Sequence, residues 1–323
     1  MEEKYFIDGP LVSILIPCYN HEKYLSDCFK SLLAQTYINI EVLITDDCSK
    51  DGSVKIIEEW MDRLRARFVK VQFIKNDNNL GVVKSVNNMI NLSRGGYIKT
   101  LASDDMLFPE AIRALVSFLE NEVEFGLVYS NYVLCDENEK YKVENLEKKS
   151  AQRSSTLSGS LSQALYEQDF IIAPTVLVRK KVYSEVGLHD ETLLMEDWEF
   201  WIRASFSFKI GYLDYTTAAY RVVSNSMSRF SNDASGMKRL RLMIENEFKI
   251  LDKFKDNPII RSKIGIRRCC DQGISLAIDF EEDELVSYIK GYLKRNQGRL
   301  GFKMELKYIL YKLRIWRLIK LLR

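Results

Sequence analysis

Residues 12–20 read VSILIPCYN, a run of apolar and mostly branched side chains that ends in a polar turn. Such a run predicts a strand buried on both faces, because a strand with one face in water would alternate apolar and polar residues. The next segment, Tyr24–Gln35, has its apolar residues at helical spacing. A buried strand followed by an amphipathic helix is the first half of a βαβ unit.

The same alternation continues through the first ~130 residues. Further strands are predicted at 40–45, 71–74, 97–101 and 126–134, and further helices at 53–68, 81–92 and 109–120. Strands separated by helices predict an α/β fold with a Rossmann-like, mainly parallel sheet flanked by helices. Ligands of such sheets lie beyond the carboxyl ends of the strands. The polar turns after the first, second and fourth strands should therefore converge on one crevice.

Composition limits the classes of function. The formal net charge of +2 over 323 residues does not indicate a nucleic-acid partner. The six cysteines have neither disulfide-framework nor zinc-site spacing, so they are predicted to be reduced thiols. With only His21 and His189 as imidazoles, any bound metal should have oxygen ligands, which favours Mg²⁺ or Mn²⁺.

The amino terminus is short and acidic, which is not typical of a signal peptide. The sequence also has no uninterrupted apolar stretch long enough for a transmembrane helix. These features predict a cytoplasmic location.

The turns after the first two strands have side chains suited to a nucleotide. The ring of Tyr19 could stack on a flat base, or it could simply cover the edge of the core. The carboxylates of Asp46 and Asp47 could accept hydrogen bonds from a base N–H and from ribose hydroxyls. The alternative for this second turn is that its later residues cap the following helix.

Two further acidic segments suggest chemistry. Asp104 and Asp105 follow the fourth strand, where two carboxylates suit a divalent ion that bridges diphosphate oxygens, although a helix cap is the alternative. Glu196, Asp197 and Trp198 open the segment EDWEFWIR. A carboxylate there could be a general base for an acceptor hydroxyl, and a Trp could pack on a sugar ring. The alternative is an ordinary amphipathic helix with acids at its favourable end.

In this order and spacing, these segments resemble the family-2 glycosyltransferases of the GT-A fold. The resemblance covers about Val12 to about Ser228. It is carried by VSILIPCYN, LLAQTY, EVLITDDCSKDGS, NLGVVKSVNNMI, SRGGYIKTLASDDMLFP, VRKKVYSEVGLHDE, MEDWEFWIR and AYRVVSNSMS.

The resemblance implies a role for individual residues. The predicted nucleotide site comprises Pro17, Tyr19, Asn20, Asp46, Asp47, Ser103 and Arg221, with Asp47 as the acid that pairs with the base. Asp104, with Asp105 beside it, is the implied ligand of Mn²⁺ or Mg²⁺. Asp197 is the implied catalytic base, Glu196 its neighbour, and Trp198 an acceptor contact. The first acid of a full DxD motif is replaced by Ala102, and Val223 stands where many relatives have His.

The same resemblance implies an inverting reaction from a nucleotide-diphosphate sugar, most commonly a UDP-sugar. The enzyme would be a hexosyl- or N-acetylhexosaminyltransferase. Its acceptor would be a hydroxyl of a glycan or lipid-linked saccharide in surface polysaccharide synthesis. Two alternatives stay open: a nucleotidyltransferase, although the turn PCYNHEKY lacks the glycines of a phosphate loop, and a non-catalytic nucleotide-sugar-binding scaffold of the same fold.

Two domains are predicted: a catalytic domain over 1–228 and a helical region over 229–323. The last segment, 303–323, has apolar residues at helical spacing, including Tyr308 and Tyr311, and basic residues such as Lys307 away from them. A basic amphipathic helix of this kind binds an anionic membrane surface or docks on the protein's own core. Peripheral contact with the inner face of the cell membrane is therefore one of two expectations for this helix.

Overall fold

The computed structural model describes residues 9–153, 155–223 and 234–313. They belong to two compact units. The first unit spans residues up to Leu161, together with Phe170–Thr192 and Glu196–Ser224. The second unit comprises Ser162–Asp169, Leu193–Met195 and the residues from Asn225 onward. The domain boundary predicted at 228 lies outside the described residues.

An eight-stranded sheet forms the centre of the first unit. Its strands are β1 (Val12–Cys18), β2 (Ile40–Asp46), β3 (Lys70–Lys75), β4 (Tyr97–Thr100), β5 (Met106–Leu107), β6 (Phe125–Asp136), β7 (Leu177–Arg179) and β8 (Lys209–Val222). Their order across the sheet is β3-β2-β1-β4-β7-β6-β8-β5. The pairs β1–β2, β2–β3, β1–β4 and β6–β8 are parallel, so the predicted mainly parallel sheet is confirmed.

The sheet becomes mixed where β7 enters it. This short strand runs antiparallel to both of its neighbours, β4 and β6. The two antiparallel steps leave β6 parallel to β4. The carboxyl ends of β1, β2, β4 and β6 consequently meet at the same edge of the sheet.

Helices cover the sheet and complete the unit. They are α1 (Leu25–Leu33), α2 (Ser53–Arg67), α3 (Val82–Leu92), α4 (Ala111–Asn121), α5 (Val143–Glu147), α7 (Lys180–Val186) and α8 (Glu196–Ser205), while α6 (Ser162–Glu167) belongs to the second unit. Every residue of β2 is buried, as is all of β1 except the half-buried Pro17. The continuous apolar run at 12–16 therefore marks a central strand, as its sequence predicts.

Residues 137–162 are predicted from their charge and serine content to be a mobile loop. The structure instead attaches this segment to the sheet. It contains α5, and Gln152 pairs with Tyr132 while Gly159 pairs with Ile210. These pairings are long-range, so local composition gives no sign of them.

The second unit is helical, as predicted. Besides α6 it contains α9 (Ala234–Phe254), α10 (Ile264–Asp279), α11 (Asp283–Arg295) and α12 (Phe302–Lys312). Helix α10 lies at its centre and packs against α6, α9, α11 and α12. Gly265 allows α10 to approach α6, because a Cβ there would lie 2.3 Å from the carbonyl oxygen of Tyr166. None of the helices among the described residues combines the length and hydropathy needed to cross a bilayer.

Candidate active site

A pocket lies at the carboxyl edge of the sheet, where the sequence predicts a ligand. It is lined by apolar side chains from β1, α3, β4 and β7, and by polar groups at the start of α8: Pro17, Val82, Val86, Ile98, Thr100, Ala102, Ala173, Pro174, Val176, Val178, Tyr183, His189, Glu196, Asp197 and Trp201. Its volume is about 150 Å³, equivalent to about five waters of about 30 Å³ each. A space of this size suits one small ring, so a whole nucleotide sugar would extend along the neighbouring turns.

Glu196 and Asp197 are the carboxylates of this pocket. Both belong to the first turn of α8, and the Oδ1 atom of Asp197 accepts a hydrogen bond of 2.8 Å from the amide of Trp198. Burial raises the pKa of Glu196 to about 8, and the negative charge of Asp197 adds to the increase. Burial also raises the pKa of Asp197, against the effect of its backbone hydrogen bonds. An acid with a raised pKa suits proton abstraction near neutral pH.

The buried His189 side chain packs against α7 and the start of α8. Its ring packs against Tyr183 and Phe200, and its Nδ1 atom lies 3.4 Å from the carbonyl oxygen of Glu196. Burial lowers the pKa of His189 to about 4, so the ring is neutral at physiological pH. It therefore adds no positive charge that would oppose the raised pKa of the acid pair.

The aromatic wall of the pocket differs from the sequence-based expectation. Trp198 is buried in the core and does not line the pocket, whereas Trp201 does. The two residues are three apart on α8, so the spacing alone does not tell which of them faces the pocket. The geometry moves the candidate acceptor contact from Trp198 to Trp201.

The two acids after β4 have different surroundings. The Asp104 carboxylate is half-buried and has no hydrogen bond or ion pair among the described residues. Asp105 is only 2% exposed, and its Oδ1 atom accepts a 2.9 Å hydrogen bond from the amide of Arg221. Burial and the charge of Asp104 raise the pKa of Asp105 well above its usual range. A ligand must be accessible and ionised, so this geometry favours Asp104 as the ligand and Asp105 as an anchor.

A single carboxylate fits a magnesium or manganese ion that is bound mainly through substrate phosphates and water. The described residues contain no group of three or more His, Cys, Asp or Glu arranged to hold a metal by themselves. Asp104 is thus the protein ligand available to a divalent ion, and diphosphate oxygens and water would have to supply the other ligands. The metal site predicted at Asp104 and Asp105 stays a prediction.

Arg221 is predicted as a diphosphate or loop contact, and in the structure its side chain, on β8, contacts loops. Its side chain is 2% exposed. The guanidinium donates to the carbonyl oxygens of Asp104, Asp136, Glu137 and Glu139 and lies 3.8 Å from Oδ2 of the buried Asp27. With these contacts made, Arg221 holds the turn that contains Asp104 against the turn that follows β6.

Lys99 is a buried charge that sequence reasoning missed. Its ammonium donates to the carbonyl oxygens of Pro174 and Val176, in the segment that forms one wall of the pocket. Burial lowers the pKa of Lys99 to about 7, while the charge of Asp105 opposes this effect. The available signal is a lysine inside an otherwise apolar strand, since a charge is rarely buried without a partner.

Asp47 holds the loop between β3 and α3 in place by hydrogen bonds. Its Oδ1 atom accepts hydrogen bonds from the side chain of Asn76 and the amide of Leu80, and its Oδ2 atom accepts from the amide of Gly81. An ionised carboxylate has about four acceptor positions, so these three bonds leave one position open on a side chain that is 3% exposed. Asp46 is buried, and its Oδ2 atom has no hydrogen bond among the described residues.

The other residues predicted to bind nucleotide lie at the ends of β1 and β4. Tyr19 is exposed and available for stacking, and Pro17 lines the pocket. Asn20 takes a left-handed conformation, with φ of 55°, and its Oδ1 atom accepts from the amide of Lys50. Ser103 is buried, and its hydroxyl lies 2.8 Å from Nδ1 of His21. Asn20 and Ser103 therefore hold the turns together by hydrogen bonds, whereas Pro17 lines the pocket and Tyr19 is exposed to solvent.

Comparison with known proteins identifies the family. Residues 13–187, just over half of the chain, match the profile of Glycosyl transferase family 2. An uncharacterized glycosyltransferase of Methanocaldococcus jannaschii is 26% identical over 237 residues, which cover 69% of this chain and 75% of that protein. Chondroitin synthase of Escherichia coli is 37% identical over 122 residues, which cover 38% of this chain and 17% of that protein.

Solved structures share the fold. TarS of S. aureus, residues 1–349 with UDP-GlcNAc, has a TM-score of 0.56 at 16% identity, covering 87% of this chain and 88% of that one. The mannosyltransferase PcManGT of Pyrobaculum calidifontis, with GDP-Man and Mn²⁺, has a TM-score of 0.59 at 11% identity, covering 93% and 79%. The expected GT-A fold is thus confirmed. With its sheet, its pocket and the match over 13–187, the chain belongs to Glycosyl transferase family 2.

Proposed function

We propose that this chain is an inverting glycosyltransferase that moves a hexosyl or N-acetylhexosaminyl group from a nucleotide-diphosphate sugar to an acceptor hydroxyl. The observation that carries the proposal is the pair Glu196 and Asp197, two carboxylates with raised pKa at the rim of a ring-sized pocket. The family match favours sugar transfer over the nucleotidyltransferase alternative.

The proposed reaction is one displacement. Asp197 accepts the proton of the acceptor hydroxyl, whose oxygen attacks the anomeric carbon of the donor. The new carbon–oxygen bond forms as the bond from that carbon to the diphosphate breaks, and the bonding electrons leave with the nucleoside diphosphate. Attack opposite to the leaving group inverts the anomeric centre.

The residues around the pocket have distinct parts in this proposal. Tyr19 stacks on the base, the remaining acceptor position of Asp47 receives a base N–H, and Trp201 packs on a sugar. Asp104 would hold the divalent ion, Mn²⁺ or Mg²⁺, which neutralises charge on the leaving diphosphate when it is bound. Asp105, Ser103 and Arg221 position the turn that contains Asp104.

The classes of donor and acceptor can also be proposed. We propose a UDP-sugar, on the analogy of TarS with UDP-GlcNAc, although PcManGT was solved with GDP-Man. For the acceptor we propose a glycan or lipid-linked saccharide of surface polysaccharide synthesis, used at the cytoplasmic face of the membrane. The similarity to a chondroitin synthase supports polysaccharide as the product class.

A thermal-shift panel tests the proposal. UDP, dTDP, GDP and common nucleotide sugars are added with and without Mn²⁺, and a ligand at about one hundred times its dissociation constant should stabilise the chain by about 2.7 kcal/mol. We expect a manganese-dependent shift with one nucleotide, and the Asp104→Ala variant should lose the manganese dependence. No shift with any nucleotide would contradict the proposal.

A turnover assay with the nucleotide sugar that gives the shift distinguishes an enzyme from a scaffold. A chain that binds a nucleotide sugar and never releases nucleoside diphosphate, with any saccharide acceptor offered, would be a non-catalytic subunit of the same fold. With a working acceptor, the anomeric configuration of the product, read by NMR, tests the inversion. Retention at the anomeric carbon would rule out the single displacement.

A further inference from the structure

Helix α12 is attached to the second unit by polar groups. The Lys307 ammonium donates to Oγ of Ser275 and Oδ1 of Asp279, at 2.8 Å each. The Lys312 ammonium donates to Oδ1 of Asp283 at 3.1 Å. Lysine side chains of α12 thus reach both α10 and α11.

The opposite side of α12 is apolar and exposed. It presents Phe302, Leu306, Ile309 and Leu313, which are 86%, 49%, 46% and 62% exposed. At about 100° per residue these four lie within an arc of about 60°; we call them the outer stripe. An amphipathic helix normally packs its apolar face on the protein and leaves its charges in water. Helix α12 leaves the outer stripe in water, although its other side, which includes Met304, Tyr308 and Tyr311, is half-buried.

Residues 302–312 agree with the predicted docking on the protein in one respect and differ from it in another. Tyr308 and Tyr311, predicted on the apolar face, are half-buried, and the Lys290 ammonium lies 3.6 Å from the centre of the Tyr308 ring. Lys307, predicted in solvent, is one of the docking groups. The rest of the predicted helix, 314–323, lies outside the described residues.

Positive charge is concentrated in the part of the sequence that contains the outer stripe. Residues 290–323 hold 11 of the 47 basic residues and only one of the 45 acidic ones, the exposed Glu305. This part of the sequence therefore carries +10, and the preceding 289 residues carry −8. The last ten residues, RIWRLIKLLR, contain only basic and apolar residues. An apolar strip among basic groups is complementary to the surface of an anionic bilayer.

A second copy of the chain is a poorer occupant of the same surface. A helix of 11 residues is about 16 Å long, so one side of it about 10 Å wide offers roughly 160 Å². A stable protein interface takes about 800 Å² from each partner. Insertion of a few side chains into a bilayer has no such minimum, because lipids adapt to the shape of the helix.

We propose that the outer stripe of α12 docks on an anionic lipid bilayer, with the surrounding lysine and arginine side chains at the headgroups. This inference concerns the second unit and does not depend on the proposed function. A protein attached in this way would diffuse in the same membrane plane as a lipid-linked acceptor. The attachment itself can be measured without any substrate.

Vesicle flotation of the full chain tests the proposal. The vesicles are phosphatidylcholine alone, or phosphatidylcholine with phosphatidylglycerol. We expect binding to the anionic vesicles, weakened by added salt because the charges are screened. The double variant Leu306→Gln, Ile309→Gln should lower the partition coefficient about a hundredfold, or about tenfold for each aliphatic side chain that no longer inserts.

The matched control is Val123→Gln, which replaces an aliphatic residue of the first unit that is 73% exposed. It should bind vesicles as the parent does, and all three proteins should show the same nucleotide-dependent thermal shift. Equal binding by the parent and the double variant would overturn the proposal, as would no binding by the parent. Light scattering that shows a parent dimer, dissociated by the double variant, would assign the stripe to a second copy and overturn it too.

Discussion

At the scale of single residues, burial decides what the acids of the pocket can do. Glu196 and Asp197 lie at a helix amino terminus, where the helix dipole favours the ionised carboxylate. Burial favours the neutral acid, and it dominates, because the pKa of Glu196 reaches about 8. A dipole interaction of about 1 kcal/mol is smaller than the desolvation of a buried carboxylate.

Asp197→Asn tests the base assignment. The amide cannot accept the acceptor proton, so we expect kcat to fall by a factor of about 10² to 10⁴. Nucleotide binding, followed by thermal shift, should be unchanged. Glu185→Gln, which removes an exposed carboxylate from α7, is the control and should keep the parent rate. Near-parent turnover by Asp197→Asn would exclude this residue as the base.

The dependence of kcat/KM on pH tests which of the two acids is the base. A base must be ionised, so the parent should gain activity as pH rises through the pKa of Asp197, which burial raises above its usual range. Glu196 becomes negatively charged only near pH 8, so we expect Glu196→Gln to keep this rising limb and most of the activity. Loss of the limb in Glu196→Gln would mean that Glu196, and not Asp197, controls the profile.

At the scale of elements, a few buried side chains join turns that are distant in the sequence. Arg221 of β8 connects the turn before β5 to the turn after β6, with the ring of Tyr24 at 5.3 Å from its guanidinium carbon. Lys99 of β4 holds the segment before β7. Because each donates to backbone carbonyls, these residues set the shape of the pocket rather than its chemistry.

Arg221→Met should weaken both the fold and the metal dependence. Loss of the buried guanidinium leaves four carbonyls without this donor and removes one of the cations beside Asp27, so we expect the free energy of unfolding to fall by about 3–5 kcal/mol. At temperatures where the variant is folded, the Mn²⁺ concentration for half-maximal activity should rise, because Asp104 is no longer held.

Arg221→Lys should recover part of the stability, since one ammonium can reach some of these carbonyls. Arg65→Met, on the exposed side of α2, is the control and should change neither property. Denaturant unfolding and a manganese titration measure the two effects. A destabilised variant with an unchanged manganese titration would show that Arg221 does not position Asp104.

At the scale of the whole molecule, the two units differ in the candidate sites that they contain and in their net charge. All candidate site residues belong to the first unit, and the outer stripe belongs to the second. Net charge differs along the same boundary: residues 225–323, most of the second unit, carry +10, and residues 1–224 carry −8. Net charge of this kind concerns partners and association, and not the fold.

Hydrogen exchange with a nucleotide sugar and Mn²⁺ tests this division. We expect amides of β1, β4 and the start of α8 to exchange more slowly when the ligand is bound, since the bound state opens less often. Amides of α10 and α11 should keep their rates. Equal slowing in both sets would show that the ligand stabilises the two units together.

The sequence by itself determined most elements of the first unit, although not those within 137–162, and the places of its acids. The apolar run at 12–16, the helical period after it and the acidic turns at 46–47 and 104–105 are local signals, because strand and helix periods differ and turns need polar residues. The family resemblance added the roles of Asp47, Asp104 and Asp197.

Only the tertiary structure decided how these pieces face each other. The antiparallel entry of β7, the burial of Asp105, the choice of Trp201 over Trp198 and the docking of α12 by its lysines all depend on contacts between residues far apart in the chain. Residue spacing tells which side chains share a face. Which face is buried depends on the surface that the rest of the chain places against it.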